Sequence, residues 1–272
     1  MTFWNVFWII VGVIGAYVLS TICRASFQEM RYLRGFGYAH RGLHSPGVPE
    51  NSMAAFRAAR DGGFGIELDV HLMKDGNLAV IHDHSLLRTA GVDVKIEDLT
   101  AQELENYRLE GTDEKIPLFE QVIELFAGRK EPLIVELKVD GKNYGALAET
   151  VCDMLENKNV HYCLESFDPR CVKWLKNHRG EVLRGQLAEN YFKSKNCKLN
   201  FFLKFLLTHQ MMNIVTQPDF VAYKFEDRNT LENLLVRKVW LAQCVTWTVR
   251  NREDYQKALK QDCIVIFEGF VP

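Results

Sequence analysis

From Gly37 onward, short apolar runs alternate with stretches whose apolar residues recur every three to four positions. The runs predict strands at 37–41 (GYAHR), 65–70 (GIELDV), 132–138 (PLIVELK), 162–167 (YCLESF), 182–187 (VLRGQL), 219–225 (DFVAYKF), 244–249 (CVTWTV) and 263–269 (CIVIFEG). Helices are predicted between them. One runs from Ser52 to Arg60 and stops at Gly62-Gly63. Another follows Asn143, with Leu147, Val151 and Leu155 on one face. Asp168-Pro169 reads as an N-cap followed by proline in the first turn, and Asn229 and Asn251 read as two further N-caps. Eight strand–helix alternations over roughly 235 residues predict an α/β fold, a (β/α)8 TIM barrel, with a doubly wound open sheet as the second choice. LAVIHD (78–83) adds a ninth strand. Its link to GIELDV is too short for a parallel crossover, and Lys74-Asp75-Gly76-Asn77 is turn chemistry, so a β-hairpin excursion is expected after the second barrel strand.

Upstream the pattern changes. Residues 2–23 carry no charged side chain, and 22 residues of helix reach about 33 Å, enough for a hydrocarbon core of ~30 Å. Trp4 and Trp8 sit toward one end, where amphipathic rings favour the interface. A basic leader and a small-x-small cleavage site are both missing from this stretch, so a retained span is expected rather than a cleaved signal peptide. Arg24, Arg31 and Arg34 follow it, which by the positive-inside tendency places the rest of the chain in the cytoplasm. The expected organisation is a transmembrane anchor (1–24), a juxtamembrane linker (25–36) and a barrel (37–272), a single-pass protein of the cell membrane. Residues 191–217 are unusual: Lys193, Lys195 and Lys198 precede a run of Phe, Leu and Met. A loop plus a buried fifth barrel helix is expected there, with a membrane-touching flap as the alternative.

Composition narrows the function. The net charge of −2 leaves no basic excess to neutralise a phosphate backbone, so nucleic acid is not an expected partner. Seven cysteines without paired close spacing argue against a disulfide framework or a structural zinc site and fit a reducing compartment.

The polar residues inside the predicted strands carry the chemistry. Glu67 and Asp69 are two apart on one strand and project to one face. Two adjacent carboxylates repel unless a proton or cation lies between them. Glu136 and Lys138 share a face near the end of the next barrel strand, His40 and Arg41 end the first, and His82 ends the hairpin strand. Three carboxylates without a nearby cysteine suit a hard divalent cation, Mg2+ or Ca2+. Arg41, Lys138 and the cation would suit a phosphate, and two histidines offer a base and an acid. The pattern points to metal-assisted phosphoester chemistry, with rim ion pairs on a binding barrel as the alternative.

The segment 39–83, AHRGLHSPGVPENSMAAFRAARDGGFGIELDVHLMKDGNLAVIHD, resembles the N-terminal signature of the glycerophosphodiester phosphodiesterase family. Likeness continues through DLTAQELENY, KIPLFEQVIELF, VELK (135–138), ESFD (165–168) and VTWTV (245–249), so it covers about Gly37 to Pro272. The whole chain is similar to a membrane-anchored bacterial-type member. The resemblance implies a TIM barrel that cleaves glycerophosphodiesters to glycerol 3-phosphate and an alcohol. It implies Glu67, Asp69 and Glu136 as ligands of one divalent cation and His40 and His82 as the acid–base pair. It also implies Arg41 and Lys138 as phosphate-binding residues and Trp247 on the glycerol side of the pocket. The C-terminal IFEGFVP departs from the family's usual ending, with Glu268 near its acidic position. Other readings are a lysophospholipase D acting on membrane lysophospholipids and a non-catalytic lipid-binding barrel. His71 is expected to make an interior hydrogen bond, His44 and His84 to be solvated loop residues, Asn51 to cap the first helix and Glu50 to support the site. Cys163 and Cys244 are expected as small buried apolar groups.

Overall fold

Every predicted run becomes a strand. The chain is described from a computed structural model at residues 2–26, 28–194 and 197–272; Lys195, one of the lysines before the apolar run, lies outside these. The strands are β1 (Gly37–His40), β2 (Gly65–Leu72), β3 (Leu78–Val80), β4 (Leu133–Leu137), β5 (Tyr162–Ser166), β6 (Arg184–Ala188), β7 (Phe220–Lys224), β8 (Gln243–Val249) and β9 (Cys263–Phe267). All pair in parallel except β3, and β1 bonds to both β2 and β9, which closes an eight-stranded barrel. The expected hairpin is present, with β3 antiparallel to β2 through Val70↔Val80 and Leu72↔Leu78. It opens a small lobe with its own core of Met73, Ile81, Leu86, Ile96, Leu104 and Ile116.

Strand alternation sorts the side chains into two layers. Ile66, Leu68, Val135, Leu164 and Val265 point outward and pack with apolar residues of the surrounding helices, such as Phe56, Phe126, Val151 and Leu175. Tyr38, Ile134, Cys163, Phe220, Val245 and Ile266 point inward and fill the lower barrel, where Met30 and Leu33 plug the open end. At Gly185 a Cβ would lie 2.2 Å from the Phe220 ring, so only glycine lets that ring cross the interior. Two residues further along these strands, the inward position turns polar: Ile134 gives way to Glu136 and Cys163 to Glu165. The upper barrel is therefore a charged chamber on an apolar floor.

Helix caps follow local chemistry, with two departures. Ser52, Asp168 and Asn251 cap helices as N-caps should. Thr230, not Asn229, caps the helix Leu231–Lys238, accepting from Asn233 N. Asn51 is not a cap, since the neighbouring Ser52 hydroxyl already accepts from Ala55 N. The fifth barrel helix (Phe201–Thr208) is not buried as expected: Phe201 and Phe202 are 74% and 65% exposed. Its apolar content follows no single inward stripe, so the barrel cannot cover it. Cys244 also departs from expectation. It stands directly opposite Cys263 on the neighbouring strand and is disulfide-bonded to it, a pairing that sequence spacing does not show. Cys163 is buried as expected.

The N-terminal helix α1 (Phe3–Ser20) is almost entirely exposed and is, among the described residues, the one helix long and apolar enough to cross a membrane. Its C-terminal end docks on the barrel: Trp240 Nε1 donates to Thr21 Oγ1 at 3.0 Å, and Tyr17 donates to Glu232. Arg24 and Ser26 then bind Asp219, and Cys23 packs among Val221, Val236 and Ala242.

Candidate active site

Register assembles the site. β1 places His40 beside Glu67, β2 places Asp69 beside Glu136, and β5 places Glu165 beside Glu136. All of these positions lie at the C-terminal rim, where barrel enzymes build their sites. Glu67, Asp69 and Glu136 are buried and offer oxygens within 4.8 Å of one another. The turn after β1 is left-handed at Arg41 (φ 56°) and Gly42 (φ 83°). A Cβ on Gly42 would press into Ala55 at 2.8 Å, so the His-Arg-Gly turn requires its glycine. The strained Arg41 backbone aims its N–H at Glu67 Oε2 (3.1 Å), while its guanidinium reaches Glu50 Oε1 (3.0 Å) and Asp69 Oδ2 (3.4 Å). Asn51, also left-handed (φ 52°), donates to Asp69 Oδ2 at 2.8 Å. Lys138 Nζ bridges Asp69 (2.9 Å) and Glu136 (2.8 Å).

The histidines flank this cluster. His40 Nε2 lies 3.9 Å from Glu67, and its Nδ1 is held 3.3 Å from Glu268, which also binds Arg250. His82 Nδ1 is held 2.6 Å from Asp83, which in turn pairs with Arg88. Each ring thus has one nitrogen anchored on a carboxylate. His40, Arg41, Glu67, His82, Glu136, Glu165, Phe167 and Trp247 line one pocket. Trp247 donates to Ala222 O at 3.0 Å and meets Phe167 edge-on, giving the pocket an aromatic wall. All eight residues singled out from the sequence converge on this rim.

Charge in the pocket is unbalanced. Four buried carboxylates, Glu67, Asp69, Glu136 and Glu165, face two cations, Arg41 and Lys138. Burial, then Asp69 and Glu136, push Glu67 far above the usual carboxylate range. Burial likewise raises Glu136 and Glu165. Burial opposes ionisation of Asp69 too, but Lys138, His82 and Arg41 hold it well below its ordinary value. Burial lowers His82 to about 4, with Lys138 and Arg41 adding and Asp69 opposing, and burial also lowers His40. Burial and mutual repulsion outweigh the two cations at Glu67, Glu136 and Glu165 and push these three toward protonation, whereas Asp69 is held low. An oxygen-only donor set with that imbalance could hold a hard divalent cation.

The site also draws in residues beyond those eight, of which Glu165 was not assigned from sequence. Glu165 has a buried oxygen without a hydrogen-bond partner, and only the non-local register Glu136↔Glu165 reveals its place; its one local signal is an acid inside an apolar strand. Glu50 joins Arg41 to Arg88 and so supports the site as expected. His44 is no solvated loop residue, lying 3.7 Å from Glu268. His84 is half-exposed yet bound: its Nδ1 and that of fully buried His71 meet Glu97 Oε1 at 2.6 and 2.8 Å. His71 Nε2 also reaches the His82 carbonyl at 3.2 Å, an interior bond that steadies the His82 segment.

The fold and rim define a (β/α)8 barrel with an acidic pocket at its C-terminal end. Residues 40–269 match the Glycerophosphoryl diester phosphodiesterase family, and the chain belongs to it. A glycerophosphodiester phosphodiesterase of Bacillus altitudinis is 41% identical over 131 residues, 45% of this chain and 53% of that protein. A lysophospholipase D of Homo sapiens is 30% identical over 169 residues, 55% of this chain and 52% of that protein. The matched region thus spans about half the length of these relatives. The barrel also superposes on an Oleispira antarctica phosphodiesterase solved with its product sn-glycerol-3-phosphate. That match has a TM-score of 0.69 at 20% identity, covering 86% of this chain and 92% of that one.

Proposed function

We propose that the protein is a metal-dependent phosphodiesterase that hydrolyses glycerophosphodiesters to glycerol 3-phosphate and an alcohol. The observation that carries this reading is the convergence of Glu67, Asp69 and Glu136 with two carboxylate-anchored histidines and two cationic side chains in one pocket. One divalent cation, Mg2+ or Ca2+, would be held by Glu67, Asp69 and Glu136 and would polarise the phosphoryl oxygens. Arg41 and Lys138 then bind the phosphate and stabilise charge that grows on it in the transition state. Of His40 and His82, one in its neutral form would take the proton of the nucleophile and the other, entering the step protonated, would give its own proton to the leaving oxygen. Glu268 and Asp83 fix the ring orientations. Phe167 and Trp247 offer an apolar face to the glycerol backbone.

The test is product analysis with glycerophosphocholine in 18O-labelled water. Glycerol 3-phosphate carrying the label, together with choline, is the expected outcome; unreacted diester would refute the reading. A second reading, lysophospholipase D action, is favoured by an apolar cavity beside the pocket.

We also propose that α1 anchors the chain as a single span, with the barrel in the cytoplasm. The flanking Arg24, Arg31 and Arg34 and five free cysteines support this side. The Cys244–Cys263 bond argues for an oxidising compartment instead. Labelling of an engineered surface cysteine by a membrane-impermeant reagent decides: protection until lysis is expected, and labelling of intact cells would reverse the orientation.

A further inference from the structure

Three side chains converge where the small lobe meets β2, and none of them lines the catalytic pocket. His71, near the end of β2, and His84, beyond β3, both aim Nδ1 at one oxygen of Glu97, at 2.8 and 2.6 Å. The donor atoms of the three residues all lie within 4.8 Å of one another. The two rings stand nearly perpendicular, at 89°, so they reach that point from different sides. The other oxygen of Glu97, Oε2, is buried and has no hydrogen-bond partner among the described residues.

Backbone contacts hold these residues together. Ile96 N donates to the His84 carbonyl at 2.9 Å, Ser85 bridges to Lys95, and Leu86 and Ile96 are buried in the lobe core. Glu97 sits in the short turn Ile96–Asp98 that this bridge fixes. His71 Nε2 lies 3.2 Å from the His82 carbonyl. A carbonyl only accepts, so Nε2 carries the hydrogen and Nδ1 is the nitrogen available to a cation. Ligating histidines commonly have their second ring nitrogen fixed in this way. The donor set also selects the ion. Two imidazoles and one carboxylate suit zinc, which can take three protein ligands and keep a fourth position open. The cluster of Glu67, Asp69 and Glu136 offers oxygen alone and suits a harder ion. Zinc ligands in a tetrahedron stand about 3.4 Å apart, so entry parts each nitrogen from Glu97 by about 0.6–0.8 Å. The His84 side chain is 45% exposed, which gives its ring room to turn and opens the fourth position to solvent.

We propose that His71, His84 and Glu97 form a second metal site, one that takes Zn2+ and ties the segment after the hairpin to β2. The site goes beyond the phosphodiesterase reading and stands whether or not the barrel cleaves diesters. Zinc takes the place of the protons between the imidazoles and Glu97 and releases them to solvent. No cysteine is needed, so the spacing of the thiols has no bearing on it. His82 lies inside the tied segment: its carbonyl bonds to His71, and His84 holds the ion two residues further on. Bound zinc therefore restrains the backbone that carries one of the two pocket histidines.

The test uses the purified full chain in detergent, stripped of metal, with Mg2+ in excess and free Zn2+ buffered at micromolar levels. Equilibrium dialysis with metal analysis is expected to find one Zn2+ that wild type and Glu67→Gln both bind and His84→Gln does not. An unchanged far-UV circular dichroism spectrum shows that His84→Gln folds. The second readout is amide hydrogen exchange. Adding Zn2+ is expected to slow exchange across 82–98 in wild type and to leave it unchanged in His84→Gln. Zinc kept in full by His84→Gln, or lost on Glu67→Gln, assigns the ion to the acidic cluster and overturns the site. A wild type that binds no Zn2+, or whose exchange at 82–98 ignores it, reduces the three residues to a hydrogen-bonded group and also overturns it. Neither readout involves turnover, so failure of the phosphodiesterase reading leaves both intact.

Discussion

Asp69 is where the charges of the site meet: Lys138, Arg41 and Asn51 all reach it, and it stays ionised while its neighbours Glu67 and Glu136 are pushed toward protonation. On the proposed reading a cation bound there would replace those protons, and removing one ligand charge would disable the site without disturbing the apolar floor. Glu67→Gln is expected to abolish diester hydrolysis with an unchanged far-UV circular dichroism spectrum; retained turnover would remove Glu67 from the site. His40→Ala and His82→Ala are each expected to lower kcat by about 10²–10⁴-fold, read in steady-state kinetics. Glu97 provides an independent check away from the pocket. Burial raises it, but hydrogen bonds to His71 and His84 more than offset this and bring it from 4.5 to about 2. A depressed acid stabilises the fold above its unfolded value, and that contribution fades as pH falls through the folded value. His84 is raised, chiefly by Glu97, so its share is complete below 6.5 and fades as pH climbs through the raised value. Glu97→Gln should therefore lower the melting temperature by several degrees between pH 4.5 and 6.5, with a shrinking difference toward pH 2. An equal loss at every pH would show that packing, not charge, is responsible.

At the scale of elements, strand positions and their facing were legible because the two-residue period of a strand is rigid. Glu67 and Asp69 could only project together, and the structure places them so. What pairs with what was not legible. Glu165 joins the carboxylates through its register with Glu136, and Cys244 meets Cys263 through the pairing of β8 with β9. Sequence neighbours carry no record of either contact. Asn51 was misread for a different reason: a left-handed backbone turns it from the helix start toward Asp69, a conformation that residue type alone does not dictate. The helix Phe201–Thr208 was misplaced because apolar composition usually means burial, whereas its phenylalanines face outward. For the Cys244–Cys263 pair the expected outcome is five thiols titrated in the denatured, unreduced protein and seven after reduction.

At the scale of the whole molecule, the barrel floor, the plug of Met30 and Leu33 and the outer helices carry the apolar packing, and the charged side chains are concentrated at one end. The N-terminal helix docks along Leu231–Lys238, with Tyr17 at the start of that helix and Thr21 beyond its end. The central claim is that the acidic cluster works only with a divalent cation. Its most direct test is glycerol 3-phosphate release from glycerophosphocholine by the purified full chain before and after dialysis against a chelator. Release that disappears on chelation and returns with Mg2+ or Ca2+ is the expected result. Undiminished release from the chelated protein would contradict the account.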